Sequence, residues 1–263
     1  VAETGTTDTF TVVLNAQPAS DVVLSISSSD TGEATVTSTL TFTNGNWDTP
    51  QTVTVTGVDD DIIDGTISST LTIAIVDAIS DNDFDAVADQ TVTATTADDD
   101  VAGFTVTETG GSTSVSESGT TDTFTIVLNA QPASDVVFAI TSSDTGEATV
   151  TSALTFTSAN WDTPQTVTVT GVDDDTIDGT ISSTITVSIN DGSSDDDFDG
   201  VADQTVTATT TDDDTAGFTI AESSGSTSVA ESGTTDTFTI VLDAQPDTDV
   251  VFAISSSDTG EAT

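Results

Sequence analysis

Thr52-Val53-Thr54-Val55-Thr56-Gly57-Val58-Asp59-Asp60-Asp61 recurs letter for letter at residues 166–175. Its strict polar/apolar alternation describes a half-buried β-strand, and three carboxylates stand directly at the strand's end. A strand that delivers Asp59, Asp60 and Asp61, or Asp173, Asp174 and Asp175, to one end of a sandwich is suited to holding a hard cation. A string of such units points to a mechanical role and away from a catalytic one.

Working outward, the whole chain is periodic. Phe10, Phe124 and Phe238 each sit in Thr-Thr-Asp-Thr-Phe-Thr, and Trp47 and Trp161 keep the same 114-residue spacing. The division this predicts is a repeat at 1–100 lacking its first strand, a complete repeat at 101–214, and the opening of a third at 215–263. The frame reads as a cut from a longer array, or as a unit whose open ends a neighbouring molecule completes.

Among the 263 residues are 46 acids and no Lys, Arg or His, giving a net charge of -46. No carboxylate has a cationic side chain to pair with, so bound cations or screening salt must offset the self-repulsion. Such charge with few aromatics would suggest disorder. The hydrophobic fraction of 34%, set at alternate positions, argues instead for a folded chain that depends on its ions. A polyanion repels nucleic acid and anionic lipid, so both are poor partners, and neither nucleic-acid binding nor membrane insertion is expected. Without Cys there are no disulfides and no thiolate metal sites. The lack of Lys and Arg removes every trypsin-like cleavage site, which suits an extracellular or cell-surface life.

In the middle repeat, 104–107 reads as strand A, followed by a Gly/Ser stretch and Val115-Ser116-Glu117. Strand B is 123–128, C 136–140, D 150–156, E 166–172, F 181–189 and G 205–209, with a long acidic loop at 190–203. Seven short strands with turns between them in about 110 residues predict an all-β, Ig-like antiparallel sandwich, repeated in tandem.

Antiparallel parity then places the acids. If A runs upward, so do C, E and G, and the upper end collects the A–B link, the C–D turn, the E–F turn and the end of G. Those places hold Glu117, Asp144, Asp173 to Asp175 with Asp178, and Asp212, Asp213 and Asp214. Like charges so gathered raise one another's pKa. Calcium relieves the conflict because it takes roughly 6–8 oxygens in flexible geometry; softer metals want the His or Cys that are missing. The competing reading is a solvated acidic face in a salt-adapted protein. The lower-loop acids, 195–197 with Asp199 and Asp203, are candidates to contribute from the neighbouring repeat.

The order Val-Ser-Glu-Ser-Gly, Leu-Thr-Phe-Thr, Thr-Val-Thr-Val-x-x-Val-Asp-Asp-Asp and a terminal Asp-Asp-Asp resembles the Calx-beta domain. The resemblance implies a seven-stranded sandwich that binds Ca2+ at one pole, beside the following domain. By it, Glu117, 173–175 and 212–214 match ligand positions, as do Glu3, Asp59, Asp60, Asp61, Asp98, Asp99 and Asp100 of the first repeat. Asp30 and Asp144 are further candidates, and Glu231 holds the matching place in the third. Where the family often carries a Glu after the E–F acids, this chain has Asp64 and Asp178.

Other chemistries fit less well. A glycosidase needs one carboxylate pair, whereas here the acids recur with the repeat and sugar-stacking aromatics are scarce. Threonine ladders are ordinary β-branched strand faces before they are ice-binding ones, and Trp47 and Trp161 sit where a sandwich is capped. The expectation is a non-enzymatic, calcium-rigidified extender or stalk of a giant adhesin-like surface or secreted protein, with neighbouring repeats as its partners. The alternative is a self-assembling subunit of an extracellular filament, sheath or surface layer, joined to copies of itself by inter-chain strand complementation.

Overall fold

The computed structural model describes residues 1–262; Thr263, the last residue of the third segment, lies outside the described residues. The chain is all-β. The first segment contains β1 (Thr7–Val12), β2 (Val22–Ser28), β3 (Ala34–Val36), β4 (Thr39–Phe42), β5 (Gln51–Gly57), β6 (Ile67–Ile75) and β7 (Gln90–Thr96). The second contains β8 (Phe104–Glu108), β9 (Thr113–Ser116), β10 (Thr121–Leu128), β11 (Val136–Ser142), β12 (Ala148–Val150), β13 (Ala153–Phe156), β14 (Gln165–Gly171), β15 (Ile181–Ile189) and β16 (Gln204–Thr211). The third contributes β17 (Phe218–Glu222) and β18 (Phe238–Leu242). Among the described residues no helix is long and apolar enough to cross a membrane.

In the second segment one sheet runs β12-β14-β10-β8 and the other β13-β11-β15-β16-β9. Alternation along the strands sends one row of side chains between the sheets: Phe124, Ile126, Phe138, Phe156, Val167, Val169, Ile185 and Val187 are all fully enclosed. Burying each such side chain stabilises the fold by about 1.5–3 kcal/mol. Phe138 is the centre of the core, edge-on to Phe104 at 4.9 Å and to Phe156 at 5.7 Å. Trp161 is half-buried against the same core, and its carbonyl accepts the Leu128 N–H.

Two of the expected strands each divide between the sheets. Strand A pairs with β10 as β8, bends at 109–111, and continues as β9, which joins the other sheet parallel to β16. Strand D likewise begins as β12 on β14 and ends as β13 on β11. The sandwich is otherwise antiparallel. The crossing of β9 explains the glycine inside the repeated strand: a Cβ on Gly171 would collide with the Ser116 carbonyl oxygen. Gly57 stands in the same relation to the Ala2 carbonyl. Gly in a strand here marks a close backbone approach, and the residue delivered just past that approach is Glu117 or Glu3.

The first segment repeats this arrangement as β1-β5-β3 over β4-β2-β6-β7. The place of β9 is taken by the parallel bridge between Ala2 and Ala97. Its core is Val22, Leu24, Ile26, Phe42 and Val53 with their neighbours.

Candidate metal centre

Four segments converge at one end of the second sandwich. Glu117 follows β9, with its N–H on the Thr211 carbonyl at 3.1 Å. Glu147 ends the turn before β12; its carbonyl accepts Val172 N–H at 2.9 Å and the Thr210 hydroxyl at 3.2 Å. Asp178 lies between β14 and β15, and Asp212 and Asp214 follow β16. Asp212 braces the tip, accepting the N–H groups of Gly179 at 2.9 Å and Asp214 at 2.7 Å.

The result is two carboxylate triads sharing one member. Glu117, Asp212 and Asp214 bring ligand oxygens within 4.8 Å of one another, and so do Glu117, Glu147 and Asp178. The first segment forms the same pair from Glu3, Asp98 and Asp100 and from Glu3, Glu33 and Asp64. Glu117 is fully buried, Glu3 is 1% exposed, and Glu33 and Glu147 are each 6% exposed. Both carboxylate oxygens of Glu3 and one each of Glu33, Glu117, Glu147 and Asp214 are enclosed without a hydrogen-bond partner.

Buried, unpaired carboxylates facing other carboxylates are costly when ionised. Burial, then the charges of Asp98 and Asp60, pushes the Glu3 carboxyl up to about 7. Burial and then Asp178 push Glu147 to about 6. Glu33, Asp64, Asp100 and Asp214 are raised as well, burial leading in each case. In Glu117 burial also raises the carboxyl, partly offset by the Asp213 N–H. Two triads of hard oxygens, with orphaned lone pairs aimed inward and no imidazole or thiolate near, fit a hard divalent cation.

The other acids singled out in the sequence fall around these triads. Asp60 and Asp174 sit close enough to raise Glu3 and Glu117, and each also closes a local turn, accepting Ile62 N–H at 2.8 Å and Thr176 N–H at 2.6 Å. Asp30 and Asp144 are exposed and hold the C–D turns by accepting Gly32 and Gly146 N–H, both at 3.0 Å. Asp59, Asp61, Asp99, Asp173, Asp175 and Asp213 belong to neither triad, and the exposed Glu231 belongs to none of the groups found among the described residues. Glu33 and Glu147 are the members that sequence reasoning passed over. Their signal was the repeated Asp-Thr-Gly-Glu-Ala-Thr at 30–35 and 144–149.

The lower loop behaves differently. Asp195, 5% exposed, accepts Ser134 N–H at 2.6 Å, the Ser134 hydroxyl at 3.1 Å and Asp197 N–H at 3.2 Å. Burial alone would raise it; these donors hold it below the usual carboxylate range. It is a satisfied structural clamp.

The acidic tip also meets the next repeat. The Asp61 carbonyl accepts Gln131 N–H, Ile62 forms a parallel bridge with Gln131, and Ile63 packs on the second core.

No family model matches the chain, and no curated protein matches it. Among solved structures it is similar to domains 4 and 5 of the S-layer protein SbsC, at 16% identity over 72% of this chain and 70% of that one, with a TM-score of 0.31. Domains 1–6 of SbsC give 16% identity over 91% of this chain and 33% of that one, with a TM-score of 0.36. The calcium binding domain CBD12 of CALX1.1 gives 15% identity over 69% and 73%, with a TM-score of 0.30.

Proposed function

We propose that the chain is a structural repeat stiffened by calcium, an extender within a larger surface or secreted protein that spaces other parts of that protein from the cell. The carrying observation is the set of buried carboxylate oxygens without partners, aimed among other carboxylates, in a chain with no cationic side chain. Glu117 would bridge two ions, one held with Asp212 and Asp214 and one with Glu147 and Asp178. Glu3 would do the same with Asp98 and Asp100 and with Glu33 and Asp64. Carbonyls and water complete the roughly 6–8 oxygens that calcium takes.

The same tip carries the joint to the next repeat, so ions that order the loop at 59–64 also order the segment resting on Gln131. A flexible tether thereby becomes a stiff one. Calcium near millimolar, the range in which extracellular modules are tuned, is enough to fill such sites.

Thermal unfolding in high monovalent salt, with calcium and with a chelator, tests the reading. Stabilisation that grows with free calcium follows from ligation of the folded state. Equal melting in both conditions would leave salt screening as the only role for cations and remove the proposal.

A further inference from the structure

The inward row of β15 reads Ser183, Ile185, Val187 and Ile189, and its one polar member lies at the end nearest the carboxylate triads. Ser183 is 1% exposed, and its hydroxyl is enclosed without a hydrogen-bond partner among the described residues. The first segment repeats this in β6. There Ser69 is fully buried, equally unpartnered, and followed inward by Leu71 and Ile73. An apolar row gains nothing from an orphaned hydroxyl, and burying one is costly.

Ser183 pairs with Ala208 of β16, and two residues nearer the tip the buried Thr210 hydroxyl donates to the Glu147 carbonyl at 3.2 Å. On the other flank the Thr184 carbonyl accepts Ser143 N–H and Thr184 N–H donates to the Ser143 hydroxyl, both at 2.9 Å. The turn at 143–147 is therefore pinned at both ends around Ser183, and it delivers Glu147. Ser69 is framed alike, by Ser29 on Thr70 and by the Thr96 hydroxyl on the Glu33 carbonyl. The Glu147 carbonyl already accepts two donors. Ser183 Oγ is the neutral acceptor that this layer leaves free.

We propose that Ser183 and Ser69 are positioning residues for the inner ion of each repeat, the one between Glu117, Glu147 and Asp178 or between Glu3, Glu33 and Asp64. Each hydroxyl oxygen accepts a hydrogen bond from a water bound to that ion. The inference rests on the calcium reading and names what steadies the shell on the side away from solvent. Three carboxylates supply at most about six oxygens, the lower bound for calcium, so water joins them. A water polarised by a cation donates strongly, and in an enclosed site it needs an acceptor. A hydroxyl provides one without adding negative charge to a site that already holds three carboxylates.

Calorimetric calcium titration of the 263-residue chain, stripped of metal and held in about 1 M monovalent salt to screen its charge, tests this. Glu147→Gln touches the inner group alone, so it marks which binding step belongs to the inner position of the second repeat. Ser183→Ala is expected to weaken that step about tenfold, as loss of an outer-shell partner does, and to leave the other steps unchanged. Its calcium-free melting temperature should equal or exceed that of wild type, because an unpartnered hydroxyl is gone. Ser183→Cys keeps the volume but accepts hydrogen bonds poorly, and should bind like Ser183→Ala. Ser69→Ala should act in the same way on the first repeat. Unchanged calcium affinity in Ser183→Ala overturns the proposal while the calcium reading stands. A Ser183→Cys variant that binds like wild type overturns it too, since volume would then be the serine's role. If Ser183→Ala melts lower without calcium and weakens every step alike, the serine serves packing and the proposal falls. A wild-type chain that takes up no calcium overturns both readings.

Discussion

The Asp61 carbonyl accepts the Gln131 backbone N–H at 2.7 Å, and one repeat later the Asp175 carbonyl accepts Gln245 N–H at 2.6 Å. Each bond stands beside a parallel bridge, Ile62 with Gln131 and Thr176 with Gln245. The residue that ends each acidic run is thus tied by its backbone to the B–C turn of the following repeat. Its neighbours Asp60 and Asp64 lie close enough to raise Glu3. Whatever orders the tip therefore orders the joint.

Ile63 supplies the apolar part of that joint by packing on the second core. Ile63→Ser removes a half-buried aliphatic side chain, worth about 1 kcal/mol. The expected outcome is a looser joint with each sandwich intact. Small-angle scattering in calcium should show a larger radius of gyration, and the melting temperature of each repeat should stay put. Unchanged scattering would mean that Ile63 does not hold the repeats together.

Glu117 belongs to both triads of its repeat and Glu147 to one. Glu117→Gln should therefore weaken both ion positions of the second repeat, and Glu147→Gln only one. In calcium titrations by calorimetry, the expected loss is on the order of tenfold per affected position, since ligand charge tunes affinity. Without calcium both variants should melt higher than wild type, because each removes a buried, unpartnered charge. A variant that melts lower in both conditions would show that its glutamate serves packing alone.

The sandwich was legible because its information is local. Alternation in 166–171 and 181–189 fixes which faces are buried, and the 114-residue period separates one copy from the next. The division of strands A and D was not legible: which neighbour β9 or β12 pairs with depends on contacts made a hundred or twenty residues away. Parity brought the correct turns to the tip but did not rank the acids inside a turn. In Asp144-Thr145-Gly146-Glu147 the aspartate is used up by its own turn, as Asx side chains are. The glutamate, next to the buried Ala148, is the one that reaches inward. Gly171 carried a hint, since glycine in an otherwise regular strand marks a close approach of another backbone.

Asp195 provides a control without ions. Its carboxylate satisfies the N–H groups of Ser134 and Asp197 and the Ser134 hydroxyl. Asp195→Ala strands these donors in a half-buried loop, at a cost of about 1–3 kcal/mol. Melting should fall by the same amount with and without calcium, unlike any change at the tip. A calcium-dependent loss would place this loop in the metal chemistry.

The raised glutamates set opposite pH responses for the two forms. The Glu3 carboxyl moves from 4.5 to about 7 and the Glu147 carboxyl from 4.5 to about 6. In calcium-free protein the folded state holds these protons more tightly than the unfolded chain. The resulting stability is complete below about pH 4.5 and disappears as pH rises through 6 to 7. With calcium bound the carboxylates must be ionised, protons compete with the metal, and stability should rise with pH across that window. Melting temperatures of dialysed, calcium-free protein and of calcium-loaded protein, both in high salt, should slope in opposite directions between about pH 4.5 and 7. General self-repulsion also favours low pH, so the triple variant E3Q/E117Q/E147Q separates the causes. It should flatten the calcium-free slope if the buried triads produce it, and leave the slope intact if the surface acids do.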